Sequence, residues 1–140
     1  MNRDKLHDEL IRDEGIRYEA YQCSASVWTI GVGHTKGVRE GMKCTHAQAM
    51  QWLDEDIDGC IADLDRRLPW WRDLNSVRQR ALVNICFNIG INRLEGFRRA
   101  LHSLALGEYA EAAAHFLDSK WAGQVKGRAQ RIAVQIMNGV

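Results

Sequence analysis

The chain reads as α+β and mostly helical: a small antiparallel sheet near the N-terminus, one long helix, then a run of shorter helices. Three observations predict this. Apolar residues recur at helical spacing before residue 14 and again from about residue 45 onward. Between Tyr18 and Val38, aromatic and β-branched residues stand among Ser and Gly, the composition of strands and turns. Proline occurs once in 140 residues, so little interrupts the helices.

Leu6, Leu10 and Ile11 place a first helix over 3–13. It stops before Gly15, a residue suited to a left-handed helix cap, and so leaves Glu14 on its last turn. The sheet draws on Tyr18, Tyr21, Val27, Trp28, Ile30 and Val32. Gly31 and Gly33 alternate with Ile30 and Val32; glycine weakens a strand unless a backbone or ligand approaches closely, so the alternation reads as a cleft wall, with a β-bulge as the alternative. Thr45-His46-Ala47-Gln48 has the form of a capping box. From Ala49 through Trp52, Leu53, Asp56, Ile57, Cys60 and Ile61 to Leu64 the 3.6 period continues until Pro69. A helix of ~20 residues spans ~30 Å, enough to connect two lobes. A helix from Asn75 to Ile89 follows, capped by Asn75 or Ser76 and stopped by Gly90. Shorter helices are predicted at 93–106, 108–119 and 125–137, ended by Gly107 and Gly139 at the first and last. With no internal repeat and no Gly-, Ser- or Pro-rich linker, the expectation is a single domain over 1–140 with hinged parts. Those parts are an N-terminal lobe of about 14–45, a connecting helix of about 45–67, and a helical lobe of about 70–140 that also takes helix 3–13.

Composition excludes a disordered or low-complexity chain, since 46% of residues are hydrophobic. The net charge is +1, but it is unevenly spread. Residues 1–77 hold 10 Lys+Arg and 14 Asp+Glu, whereas residues 78–140 hold 9 and 4. A chance difference between lobes accounts for this; so would a basic half that faces a polyanion such as a bacterial wall. A nucleic-acid partner is not expected, because no helix sets several Arg and Asn on one face beside a turn signature. The charged start Met-Asn-Arg-Asp-Lys-Leu-His-Asp-Glu does not read as a signal peptide, and no apolar run approaches the ~20 residues of a membrane span. Synthesis in a cytoplasm is therefore expected. Cysteines at 23, 44, 60 and 86 include no Cys-x-x-Cys pair, so no metal and no cofactor is expected. Cys60 and Cys86 lie in apolar helical patterns and are expected in the core.

The chemistry concentrates in Glu14, Cys23 and Thr29, the last within Trp28-Thr29-Ile30-Gly31-Val32-Gly33-His34. Asp13-Glu14-Gly15, Thr29 to His34, Thr45 leading a helix that contains Asp56, Phe87-Asn88-Ile89-Gly90, Ala112-Ala113 and Lys120-Trp121 follow one another in an order that resembles the phage-type lysozymes, glycoside hydrolase family 24. The resemblance covers nearly the whole chain and implies a lysozyme-like fold. It also implies hydrolysis of the β-1,4 bond between N-acetylmuramic acid and N-acetylglucosamine in peptidoglycan. A lytic transglycosylase, which needs a single acid, and an inactive wall-binding module are the competing readings.

The resemblance implies that Glu14 is the general acid, a role suited to a carboxyl at a helix end facing a partly apolar cleft. Thr29 would hold the attacking water, since a hydroxyl both donates and accepts. Position 23 departs from the Asp usual in the family. Its thiol has three open roles: helping Thr29 to polarise water, acting as a thiolate nucleophile, or filling space behind Glu14. A Cys23–Cys44 disulfide that switches the site off is a further question the sequence leaves open. By the same resemblance Asp56 pairs with His34 to pin the sheet to the long helix, Arg128 reaches toward Glu14, and Phe87, Asn88, His115 and Trp121 line or support the substrate cleft. The implied protein is a monomeric endolysin, made in the host cytoplasm, that reaches the wall through a separate holin-type membrane protein.

Overall fold

A computed structural model describes every residue from Met1 to Val140. Its contacts divide the chain into two compact units, Arg3–Gly59, and Cys60–Val140 together with Met1–Asn2.

The first unit opens with α1 (Arg3–Glu14), which buries Leu6 and Leu10. Two strands follow, β1 (Arg17–Gln22) and β2 (Trp28–Gly31), paired antiparallel with Tyr21 opposite Thr29 and Gln22 opposite Trp28. Residues 42–44 run along the other edge of β1, where the Ala20 N–H donates to the Met42 carbonyl at 2.8 Å and the Cys44 N–H to the Tyr18 carbonyl at 2.9 Å. The α+β class predicted from sequence is the class observed. The strand does not run on through Val32, however. Gly31 and Gly33 both adopt positive φ, +64° and +62°, and fold the chain back so that Ile30 and His34 exchange backbone hydrogen bonds of 2.9 and 3.0 Å. The alternating glycines therefore make a tight turn rather than one face of a strand.

Helix α2 (His46–Arg67) is 22 residues long and contributes to both units. Thr45 caps it, its hydroxyl accepting from the Gln48 N–H at 3.1 Å. Arg3 bonds Asp58 at 2.7 Å and Asp54 at 3.3 Å, and His7 Nε2 lies 2.6 Å from Asp54. These ties group α1 with the sheet and the first part of α2.

The second unit begins in the last turns of α2 and passes through a 3₁₀ turn, Pro69–Asp73, that periodicity did not reveal. Trp71 is fully buried there, and its indole donates to Asp65 at 2.7 Å. Arg72 grips both oxygens of Asp65 at 2.8 Å. These bonds hold the Asp65 carboxyl down at about 2, Arg72 contributing most and Trp71 next. Helix α3 (Ser76–Glu95) is capped by Asn75, whose side chain accepts from the Arg78 N–H at 3.0 Å. Gly90, at φ 81° and ψ 160°, interrupts it as expected, but a further helical stretch reaches Glu95 and takes up the residues expected to start the next helix.

Helices α4 (Arg98–Ala105), α5 (Tyr109–Leu117), α6 (Lys120–Val125) and α7 (Gly127–Asn138) complete the unit. Helix α6 was not predicted. Ser119 caps it through a 3.1 Å bond from the Ala122 N–H, and Lys126 at φ 53° divides it from α7. The core of this unit includes Leu82, Ile85, Leu94, Leu104, Phe116 and Ile136. Cys86 is buried with them, as expected, whereas Cys60 is only half-buried, and none of the four cysteines is in a disulfide. The Cys60 thiol hydrogen-bonds that of Cys86 and lowers its pKa against the opposing effect of burial.

Candidate active site

Glu14, the last residue of α1, is positioned by the way the helix ends. Gly15 takes φ +74° and returns its N–H to the Ile11 carbonyl at 2.8 Å, closing the turn directly after the carboxyl-bearing residue. The 31–33 turn lies against that carboxyl. A Cβ at Gly33 would sit 2.9 Å from Glu14 Oε1 and 3.0 Å from its Cδ. Glycine at this position gives both the left-handed backbone and the close approach.

Cys23 opens the turn between β1 and β2. Its N–H donates to the Val27 carbonyl at 3.0 Å, and its carbonyl accepts from the Ser26 N–H at 2.8 Å. Hydrogen bonds from the backbone of Val27, first, and of Ala25 lower the thiol's pKa; burial opposes them and the Thr29 hydroxyl adds to them. The turn thus supplies by dipoles what a nearby cation would otherwise do for a thiolate. Thr29 is buried, and its hydroxyl also donates to the Val27 carbonyl at 3.0 Å. Thr29 and Cys23 are therefore neighbours through their side chains.

Cys44 is not placed to bridge Cys23. It pairs beside Tyr18, five residues earlier along β1, and at about 3.3 Å per residue the separation is roughly 16 Å, far beyond the ~7 Å between Cα atoms that a disulfide tolerates. Burial raises the Cys44 pKa against a hydrogen bond from the Gly31 backbone, the reverse of the shift at Cys23.

Tyr21 carried no label beyond strand aromatic in the sequence, yet it stands opposite Thr29 in the ladder. The Arg17 guanidinium lies 4.3 Å above its ring. The pKa of the half-buried phenol is raised, chiefly by burial and next by the Glu14 carboxylate, with Arg17 opposing and Cys23 adding. Strand register was the only signal that could have found it. His34 is buried, bonds Asp56 Oδ2 through Nδ1 at 2.7 Å, and stacks on Trp52 with centroids 4.7 Å apart and planes 5° from parallel. Trp52 had registered only as an apolar helix position.

Phe87, Asn88, His115, Trp121 and Arg128 belong to the second unit. Trp121 is buried, meets Phe97 edge-on at 5.9 Å, and donates its indole N–H to Asn88 Oδ1 at 2.8 Å, so it fixes the amide that sequence reasoning singled out. Phe87 is half-buried on α3. His115 lines a cavity of about 330 Å³ with Phe97, Arg98, Arg99 and Asp118. Arg128 is buried, and its Nε donates to Asn84 Oδ1 at 2.9 Å.

The phage lysozyme family profile matches residues 12–134, from the turn that carries Glu14 to the last helix. The chain belongs to the phage lysozyme family. Endolysins of two phages are among its relatives. That of Acyrthosiphon pisum secondary endosymbiont phage 1 is 36% identical over 84% of this chain and 77% of its own length. That of Salmonella phage P22 is 37% identical over 82% and 80%. The SAR-endolysin of Escherichia phage Mu is 30% identical over 98% of this chain and 82% of its own length. As a member of the phage lysozyme family the chain is a glycoside hydrolase that degrades peptidoglycan. No helix in it is long and apolar enough to cross a membrane.

Proposed function

We propose that the chain is an endolysin that hydrolyses the β-1,4 bond between N-acetylmuramic acid and N-acetylglucosamine, with Glu14, Cys23 and Thr29 as its catalytic residues. The observation that carries this reading is the meeting of a helix-terminal carboxyl with the glycine turn at Gly33, in the same unit as a thiol and a hydroxyl joined at the ends of β1 and β2. Glu14 protonates the departing glycosidic oxygen. Thr29 holds the water that attacks the anomeric carbon, its hydroxyl accepting a hydrogen bond from that water while donating its own to the Val27 carbonyl, and the proton the water gives up passes to the Cys23 thiolate. Cys23, with its pKa lowered by turn N–H groups, polarises that water and balances charge as the bond breaks.

In this proposal Phe87, Asn88, His115 and Trp121 serve the saccharide or its peptide stem. Trp121 acts through the Asn88 amide it holds. His34, Asp56 and Arg128 are supports. The 1–140 chain works as one lysozyme-like domain and as a monomer. It meets the wall, and lyses the cell, after a separate holin-type membrane protein opens the way.

The test is clearing of outer-membrane-permeabilised Gram-negative cells together with mass spectrometry of the released fragments. Wild type is expected to clear the suspension and leave reducing muramic ends, while Glu14→Gln does neither. Fragments ending in 1,6-anhydromuramic acid would replace hydrolysis by a transglycosylase. Clearing by Glu14→Gln at the wild-type rate would remove Glu14 from the site.

A further inference from the structure

The register of the small sheet brings one more polar side chain to the group just assigned. Directly opposed residues of an antiparallel pair project to the same face, and residues two apart on a strand share a face. Tyr21 lies opposite Thr29 and two residues before Cys23, whose thiol meets the Thr29 hydroxyl. Tyr21, Cys23 and Thr29 therefore share one side of the hairpin. The ring is fixed from its other neighbour, since Arg17 sits over it at 4.3 Å, and a cation held against an aromatic face restrains both partners.

We infer that Tyr21 is a positioning residue for hydrolysis, its phenol completing with Thr29 and Cys23 the polar cluster that orders the attacking water. This rests on the assignment of Glu14, Cys23 and Thr29 above and adds a fourth member. The chemistry suits the task. A phenol donates one hydrogen bond and accepts another, as water ordering requires. Ionisation would destroy the donor, and the surroundings work against it: burial, the Glu14 carboxylate and Cys23 raise the pKa further than Arg17 lowers it. The phenol therefore stays protonated wherever Glu14 and Cys23 carry out the reaction. It forms no bond to the sugar and takes no proton from it.

Tyr21→Phe removes the hydroxyl and keeps the ring and its Arg17 contact. A residue that orders water should lower turnover without altering how saccharide is held. Steady-state kinetics on soluble peptidoglycan fragments should then show kcat reduced about tenfold with KM within about twofold. The thermal midpoint should stay within about 3 °C of wild type, because only one hydroxyl is lost while the ring remains and no cavity forms. Tyr21→Met, which lacks both ring and hydroxyl, should lose at least as much kcat. If it melts early, Tyr21→Phe alone decides the question.

A Tyr21→Phe kcat within twofold of wild type overturns the inference, as does a fall in kcat matched by an equal rise in KM. Glu14→Gln assayed alongside keeps the two levels apart. An inactive Glu14→Gln beside a fully active Tyr21→Phe refutes only the role of Tyr21, whereas an active Glu14→Gln refutes the assignment beneath it.

Discussion

Replacing Gly33 with alanine separates the acid's position from the stability of the turn that supports it. The new Cβ would stand 2.9 Å from Glu14 Oε1 and 3.1 Å from its Cγ, at a backbone φ of +62°. Two effects follow, of different size in different assays. Holding an L-residue in the left-handed region costs about 1 kcal/mol, which in a chain of this length lowers the melting midpoint by about 4 °C. The clash itself adds little to stability, because the atom in the way is the end of a flexible side chain that can swing aside. Reaching an ordinary contact of about 3.4 Å moves the carboxyl by about 0.5 Å. Displacements near 1 Å cost about a hundredfold in rate, so about tenfold is expected from half of that. Gly37→Ala is the control: its φ is +69° and nothing lies within 4 Å of its Cβ, so it carries the backbone cost without the contact. The assay pairs a melting curve with initial rates of wall clearing. Both variants should melt early by similar amounts, and only Gly33→Ala should lose activity. Equal losses of activity in both, or a fully active Gly33→Ala, would refute the argument that this turn sets the acid.

Further tests concern sulfur and stability. Alkylation by iodoacetamide, followed peptide by peptide in the mass spectrometer, should reach half its limiting rate at a lower pH for Cys23 than for an ordinary thiol and at a higher pH for Cys44, following the opposite shifts at the two sites. Cys23→Asp should keep or raise clearing activity and Cys23→Ala should lower it at least about tenfold, ~1.4 kcal/mol of barrier; equal rates in all three would reduce Cys23 to a spacer. Asp56→Ala leaves the buried His34 without its 2.7 Å partner and should cost about 2–3 kcal/mol in denaturant melts, with kcat per folded molecule changed less than about threefold. Asp65 has a depressed pKa, so its contribution is complete above the ordinary carboxyl value of 3.8 and is lost as pH falls toward about 2. Asp65→Asn should accordingly melt earlier than wild type at pH 7, and the gap should close between about pH 4 and pH 2. A constant gap would place the stabilisation elsewhere.

Much of the fold was legible because local rules decide it. The apolar period gave α1, α2 and α3, and the caps at Thr45 and Asn75 bond as their residue types predict. The misses fall where local signals are short. The 3₁₀ turn at Pro69–Asp73 and the six residues of α6 are too brief to show a period, although Ser119 marked the start of α6. Three particulars of the site could not be read from spacing at all. Tyr21 faces Thr29 because of strand register, Trp52 stacks on His34 because a helix and a turn meet, and Cys44 lies far from Cys23 because residues 42–44 pair with the other end of β1.

The sequence by itself determined which groups are available: a carboxyl on the last turn of a helix, a thiol and a hydroxyl six residues apart, and two glycines able to turn the chain. These are consequences of residue type and of periods only a few residues long. Tertiary structure alone decided their chemical state and company. A thiol's acidity depends on which N–H groups surround it, and here a folded turn supplies them from Val27 and Ala25. The closeness of Gly33 to Glu14 joins residues nineteen apart in the chain, a contact that exists only once α1 and the sheet have packed together.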